Sequence, residues 1–230
     1  MLYRLMRGLL CSAAMLSGSI ALAAEGMTAL LDRVAAAYGG KPPAAMIETG
    51  KTISFRRGEG VLERLYKAPD RFRIRIDYPA ASESRTMIGA RAWQQGTSAN
   101  PILRGAIALQ LARIALPWNV LERPSAATDL GTVSGPAGKS VRAIAFRMEE
   151  ALELVIEIDP ESGRILRSRG IQSVGRNTLE FATEYSDFRI TDGRLHAARE
   201  EHFAMGQHTG YSLIEKVAYP ATIPDSDFTP

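Results

Sequence analysis

From Ile47 almost to the end of the chain, apolar and polar side chains alternate in short runs, and Gly, Pro, Asp and Asn separate each run from the next. A strand turns successive side chains to opposite faces, so a period of two sustained this long admits a half-buried antiparallel sheet and little else. The early runs are Ile47 to Arg57, Gly60 to Lys67, Arg71 to Tyr78, Glu83 to Ile88 and Arg91 to Gln95. The later runs are Ala126 to Ser134, Ser140 to Glu149, Leu152 to Asp159, Ile165 to Val174, Thr178 to Thr191, Leu195 to Met205 and Gly210 to Tyr219. Turn chemistry such as Pro160-Glu161-Ser162-Gly163 and Asp192-Gly193 joins neighbours as hairpins. The expected fold is α+β but mostly β: a single curved antiparallel sheet, an open half-barrel of about eleven strands.

Two segments break the alternation. Met27, Leu30, Leu31, Val34, Ala35 and Tyr38 recur at helical spacing until Gly39-Gly40 and Pro42-Pro43 stop them. Between Asn100 and Arg123, Leu103, Ile107, Leu111, Ile114 and Leu116 share one side of a second helix, which Pro117 kinks or ends. An open sheet must cover its concave apolar face, and these N-terminal and inserted helices are the segments available to do so. A helix over a sheet mouth moves aside more easily than a strand leaves its ladder, so the architecture provides a cavity with a lid.

Residues 1–23 read as a signal peptide rather than as a segment of the fold. Arg4 and Arg7 form the basic start, Leu9 to Ile20 the apolar stretch, and Ala21-Leu22-Ala23 the small residues before a cut after Ala23. The stretch is too short and too rich in Ser and Gly for a membrane span, which takes about 20 apolar residues, so residues 24–230 are expected to form one domain without a transmembrane segment. The single cysteine, Cys11, falls inside the removed piece, which suits an oxidising, periplasmic location. Loss of Arg4 and Arg7 from 28 basic residues leaves the chain nearly balanced against its 25 acidic ones. Phosphate-backbone binding draws on clustered excess positive charge, so no nucleic-acid partner is expected.

The stretch from Glu63 to Pro79, with Lys67-Ala68-Pro69 followed by the Phe72 strand and a closing proline, resembles the hallmark of the LolA-like family of periplasmic lipoprotein carriers. Met87 to Trp93 is similar to that family's next hairpin, although its turn is Gly89-Ala90 where the family has Asp-Gly. Tyr185 to Phe188, Asp192 to Leu195 and the tail Ile223 to Pro230 resemble the endings of outer-membrane lipoprotein-sorting proteins. With the leading helix, the resemblance spans nearly all of residues 24–230. It implies a carrier or sensor that binds lipid, lipoprotein acyl chains or another apolar ligand in the sheet cavity, working with an envelope membrane-protein partner. It would also place an arginine before Pro69 to hold the lid closed, and Ala68 cannot do that.

The cavity lining expected from alternation and helical spacing is Leu65, Phe72, Ile74, Trp93, Ile107 and Leu111. Along Arg71 to Tyr78 the arginines share the face opposite Phe72, and this reads as a solvated outer surface. His196, His202 and His208 are spaced too widely along strands to share a metal ion. Gly135 to Ser140 reads as a hairpin turn, because the first glycine of a phosphate loop would have to stand at Val133. No nucleophile elbow, paired catalytic carboxylates or zincin motif occurs, so neither an enzyme nor a cofactor is expected. The alternative is a protein-interaction module of the cell envelope that uses a sheet edge and no small ligand.

Overall fold

The computed structural model describes residues 26–39 and 41–230, so the segment read as a signal peptide lies outside the described residues. Helix α1 (26–38) buries Leu30, Leu31, Val34 and Tyr38, the stripe that the spacing predicts. It ends at Gly39, whose φ of +92° suits a residue without a Cβ; a Cβ there would lie 2.4 Å from the Gly193 carbonyl oxygen.

One antiparallel sheet follows, of thirteen strands rather than eleven. The first meander is β1 (Ala45–Ser54), β2 (Gly58–Lys67), β3 (Arg71–Asp77), β4 (Ser82–Ile88), β5 (Arg91–Gln94) and β6 (Thr97–Ser98). The second is β7 (Ala127–Ser134), β8 (Ser140–Glu149), β9 (Leu152–Ile158), β10 (Ile165–Val174), β11 (Asn177–Thr191), β12 (Arg194–Ala204) and β13 (Gln207–Ala218). The count rises chiefly through β6, whose two residues are too few to show any alternation.

Strand order is β6-β5-β4-β3-β2-β1-β13-β12-β11-β10-β9-β8-β7, so β1 pairs with β13 and welds the two meanders at the middle. The sheet does not close, and β6 and β7 are its two edges. The chain between them must therefore travel the full width of the sheet. It does so as α2 (Pro101–Ile114) and α3 (Trp118–Leu121), laid over the inner face. The start of α2 is well defined: the Asn100 side chain accepts from the Leu103 N–H at 2.9 Å, and Pro101 stands where a missing N–H costs nothing. Pro117 ends the helical run.

The inner face carries two apolar clusters. Around α1, Leu30, Val34 and Tyr38 pack with Trp118, Phe146, Leu154, Ile156 and Ile165. Around α2, Ile107, Ala108, Leu109 and Ile114 pack with Met46, Tyr66, Phe72 and Met87. On the outer face a third cluster joins Ala45 and Leu65 to Ile223 and Phe228 of the C-terminal tail. The tail is held by Asp225, which accepts from Lys67 at 2.7 Å and lies 3.1 Å from Arg71.

Candidate ligand cavity

Between the two inner clusters, over the central strands, the side chains leave a cavity of about 500 Å³. Pockets that take small organic ligands run from about 300 to 1,000 Å³, so this one is large enough to hold such a ligand. Its apolar wall comes from Met46, Leu62, Phe72, Ile74 and Ile76 on the first meander and Ile114, Leu116 and Trp118 on the covering segment.

Strand pairing decides which sequence-expected residues reach it. Directly paired residues share a face, and Arg64 pairs with Ile74, Tyr66 with Phe72, and Leu62 with Ile76. Phe72 and Ile74 thus line the cavity. Leu65 pairs with Arg73 and turns to the outer face, where the tail covers it. Trp93 pairs with Thr86, itself opposite Arg73, so it also faces outward and packs beneath the Arg91 guanidinium. Ile107 is wholly buried and Leu111 partly so in the cluster under α2, beside the cavity rather than on its wall. The expected lining therefore divides three ways: two residues on the wall, two in the packing under α2, and two on the opposite face.

The cavity floor is charged, which the alternation did not bring out. Arg64 projects from β2 toward Glu200 of β12, donating from Nη1 at 3.2 Å and from Nη2 at 2.9 Å. Its Nε lies 2.9 Å from Glu48 Oε2, but off the N–H axis, so that contact is ionic and the oxygen keeps an unfilled hydrogen-bonding position. All three side chains are largely buried, at 14%, 11% and 9% exposure for Arg64, Glu200 and Glu48. Burial pushes Glu48 above its ordinary value against the pull of Arg64. Burial works the same way on Glu200, yet the Arg64 guanidinium, with His202 and Arg113 behind it, holds Glu200 below the usual glutamate range. The sequence did carry a signal: Arg64 shares its parity with Leu62 and Tyr66, so a charge stands in an apolar row.

His202 and Ser212 stand together on this floor, and the direction of their hydrogen bonds is determinate. The Tyr211 carbonyl can only accept, so Thr52 Oγ1 donates to it at 3.3 Å. Ser212 Oγ then donates to Thr52 at 3.1 Å, and His202 Nε2 must donate to Ser212 at 2.8 Å. The imidazole therefore presents a proton to the serine and does not withdraw one. Glu200 lies 4.0 Å from that same Nε2, the wrong nitrogen for the orienting carboxylate of a hydrolytic triad. Burial, aided by Arg64 and Arg113, lowers the His202 pKa to about 4, although Glu200 opposes it.

The covering helix is tied to the sheet by a guanidinium of its own. Arg113, in the last turn of α2, donates from Nη2 to the Phe181 carbonyl of β11, and Gln172 of β10 donates to the Ile102 carbonyl at 3.1 Å. Ala68, between β2 and β3, makes a backbone bond, its N–H donating to the Ala44 carbonyl at 3.0 Å.

The arginines of β3 stay on the outer face: Arg73 pairs with Glu63 at 2.7 Å and Arg75 with Asp77 at 3.0 Å. His208 packs between Phe55 and Phe203, and among the described residues no three His, Cys, Asp or Glu side chains converge as metal ligands would. Gly135 to Lys139 forms the β7–β8 connection, and Ser140 opens β8. No helix among the described residues is long and apolar enough to cross a membrane.

A wide open antiparallel half-barrel, its inner face spanned by helices over an internal cavity, is the class of structure these features define. The same architecture is found in a LolA superfamily protein from Nitrosomonas europaea, with a TM-score of 0.56 at 12% identity over 88% of this chain and 97% of that one. It is found again in an outer membrane lipoprotein-sorting protein domain from Vibrio parahaemolyticus, with a TM-score of 0.54 at 10% identity over 90% and 97% of the two chains. A DUF1329 family protein from Desulfovibrio piger is similar over 89% of this chain and 95% of that one, with a TM-score of 0.52 at 11% identity. At these identities the likeness is one of fold: this chain has the LolA-like fold. No family model and no curated protein sequence matches it.

Proposed function

We propose that the protein is a periplasmic carrier or sensor that takes a lipid, a lipoprotein acyl chain or another largely apolar ligand into the cavity beneath α2. The observation that carries this reading is the hollow of about 500 Å³ walled by Phe72, Ile74, Ile76, Leu62 and Ile114, which the protein's own side chains leave unfilled. Each methylene moved from water into such a space gains about 0.8 kcal/mol, so one chain suffices to hold a ligand without strong polar contacts. The lipoprotein-sorting description of the Vibrio parahaemolyticus relative in fold agrees with this, as do the export-type N-terminal residues Arg4, Arg7 and Ala21 to Ala23. Transfer of the ligand toward the outer membrane is the corresponding task.

Protein purified from the periplasm and extracted with organic solvent should release a lipid detectable by mass spectrometry, and the delipidated protein should take up a fluorescent acyl probe saturably. An empty extract together with no saturable uptake would remove the carrier reading.

A further inference from the structure

Arg113 carries a cation to the inner side of α2, and its surroundings leave that charge without a full set of partners. Nη2 donates to the Phe181 carbonyl, while Nε is shielded from solvent and has no hydrogen-bond partner in the protein. Among the described residues no carboxylate approaches Arg113 closely enough to form an ion pair. Glu200 is committed to Arg64 at 2.9 Å and reaches Arg113 only through space. Burying a guanidinium without a counter-ion is costly, and a bound anion would offset that cost.

The cavity is where that anion would come from, because Arg113 lines it. Two other buried groups on this lining that can donate, the Trp118 indole N–H and the Tyr219 hydroxyl, also lack hydrogen-bond partners in the protein. Among the described residues, seven of the eleven buried side-chain polar atoms without a hydrogen-bond partner belong to residues that line this one space, and the apolar wall of Phe72, Ile74 and Ile76 bounds that same space. One ligand satisfies both needs if it is charged at one end and apolar along the rest.

We infer that the cavity binds an anionic amphiphile, with a carboxylate or phosphate head group set against Arg113 and its acyl chain running along Phe72, Ile74 and Ile76. This rests on the carrier reading and specifies its ligand. A neutral amphiphile fills the same apolar volume and leaves the guanidinium unpaired, so the two classes separate by affinity. The head group is recognised from the helix and the chain by the sheet, so the ligand ties one to the other.

Oleate, oleyl phosphate and oleyl alcohol share a chain and differ only in the head, and displacement of a bound acyl fluorophore measures all three on the delipidated protein. The expected result is that at least one anion binds about tenfold or more tightly than the alcohol, as charge-assisted hydrogen bonds require, and the better anion tells carboxylate from phosphate. Arg113→Gln should abolish the preference and Arg113→Lys should keep some of it. Equal binding of all three by the unaltered protein overturns the inference and leaves the carrier reading standing, and a preference that survives in Arg113→Gln overturns it too. If none of the three binds, the carrier reading falls and takes this assignment with it.

Discussion

Arg64 and Glu200 clasp each other with two hydrogen bonds, at 3.2 and 2.9 Å, although two strands, β1 and β13, lie between the strands that carry them. Three inter-strand steps of about 4.8 Å separate their backbones along the sheet. The pair meets because the sheet curves and an arginine is long, and it ties the first meander to the second across the cavity floor.

Replacing Arg64 by Met should remove the hydrogen-bonding partner of the Glu200 carboxylate and the ion-pair partner of Glu48 while leaving both acids buried. A buried pair broken from one side costs about 3–5 kcal/mol. Urea unfolding followed by circular dichroism should show that loss, and a variant within 1 kcal/mol of the parent, at roughly the noise of such comparisons, would contradict it.

Ile74→Trp should fill the cavity from its apolar wall, since Ile74 lines it from the inner side of β3. Saturable uptake of an acyl probe is expected to vanish while the unfolding midpoint moves little, because the added ring enters open space rather than packed core.

Phe228→Ala should act in the opposite way. Phe228 is wholly buried with Ala45, Leu65 and Ile223 on the outer face, so its loss should cost about 3–5 kcal/mol and leave acyl-probe uptake intact. Thermal melts and probe titrations on the same sample separate the two effects.

His202 should make stability depend on pH between about 4, its value in the fold, and the ordinary histidine value of 6.5. The native protein keeps the ring neutral to about pH 4, whereas the unfolded chain takes up a proton near 6.5, so the unfolded state holds more protons within that window. Stability therefore falls as pH drops from 6.5 toward 4 and levels off below. A third of the side chain is open, toward the cavity, so solvent screening reduces the effect to about 1–2 kcal/mol. Unfolding free energies at about pH 7.5, 5.5 and 4 should show His202→Gln losing less than the parent across this range.

Much of the architecture is legible in the order of residues. Twelve of the thirteen strands lie where alternation places them, and the α1 stripe of Leu30, Leu31, Val34 and Tyr38 is the one its spacing predicts. β6 escapes because two residues carry no period. The cavity residues were harder to place. Leu65 and Phe72 each belong to an apolar row, but the rows lie on opposite faces, and both faces of this sheet are partly covered: the inner by helices, the outer by Ile223 and Phe228.

Local sequence thus determined where strands run, where they turn and which side chains share a face, because backbone geometry imposes a period of two on every strand. It could not determine which face would enclose a cavity. That depended on the path of the segment from β6 to β7, which must cross the sheet from edge to edge, and on contacts between residues as distant as Arg64 and Glu200. Parity is a property of one strand, whereas inside and outside belong to the whole curved sheet. Only tertiary structure converts one into the other, and it did so here by placing charge on the floor of a hollow whose wall is apolar.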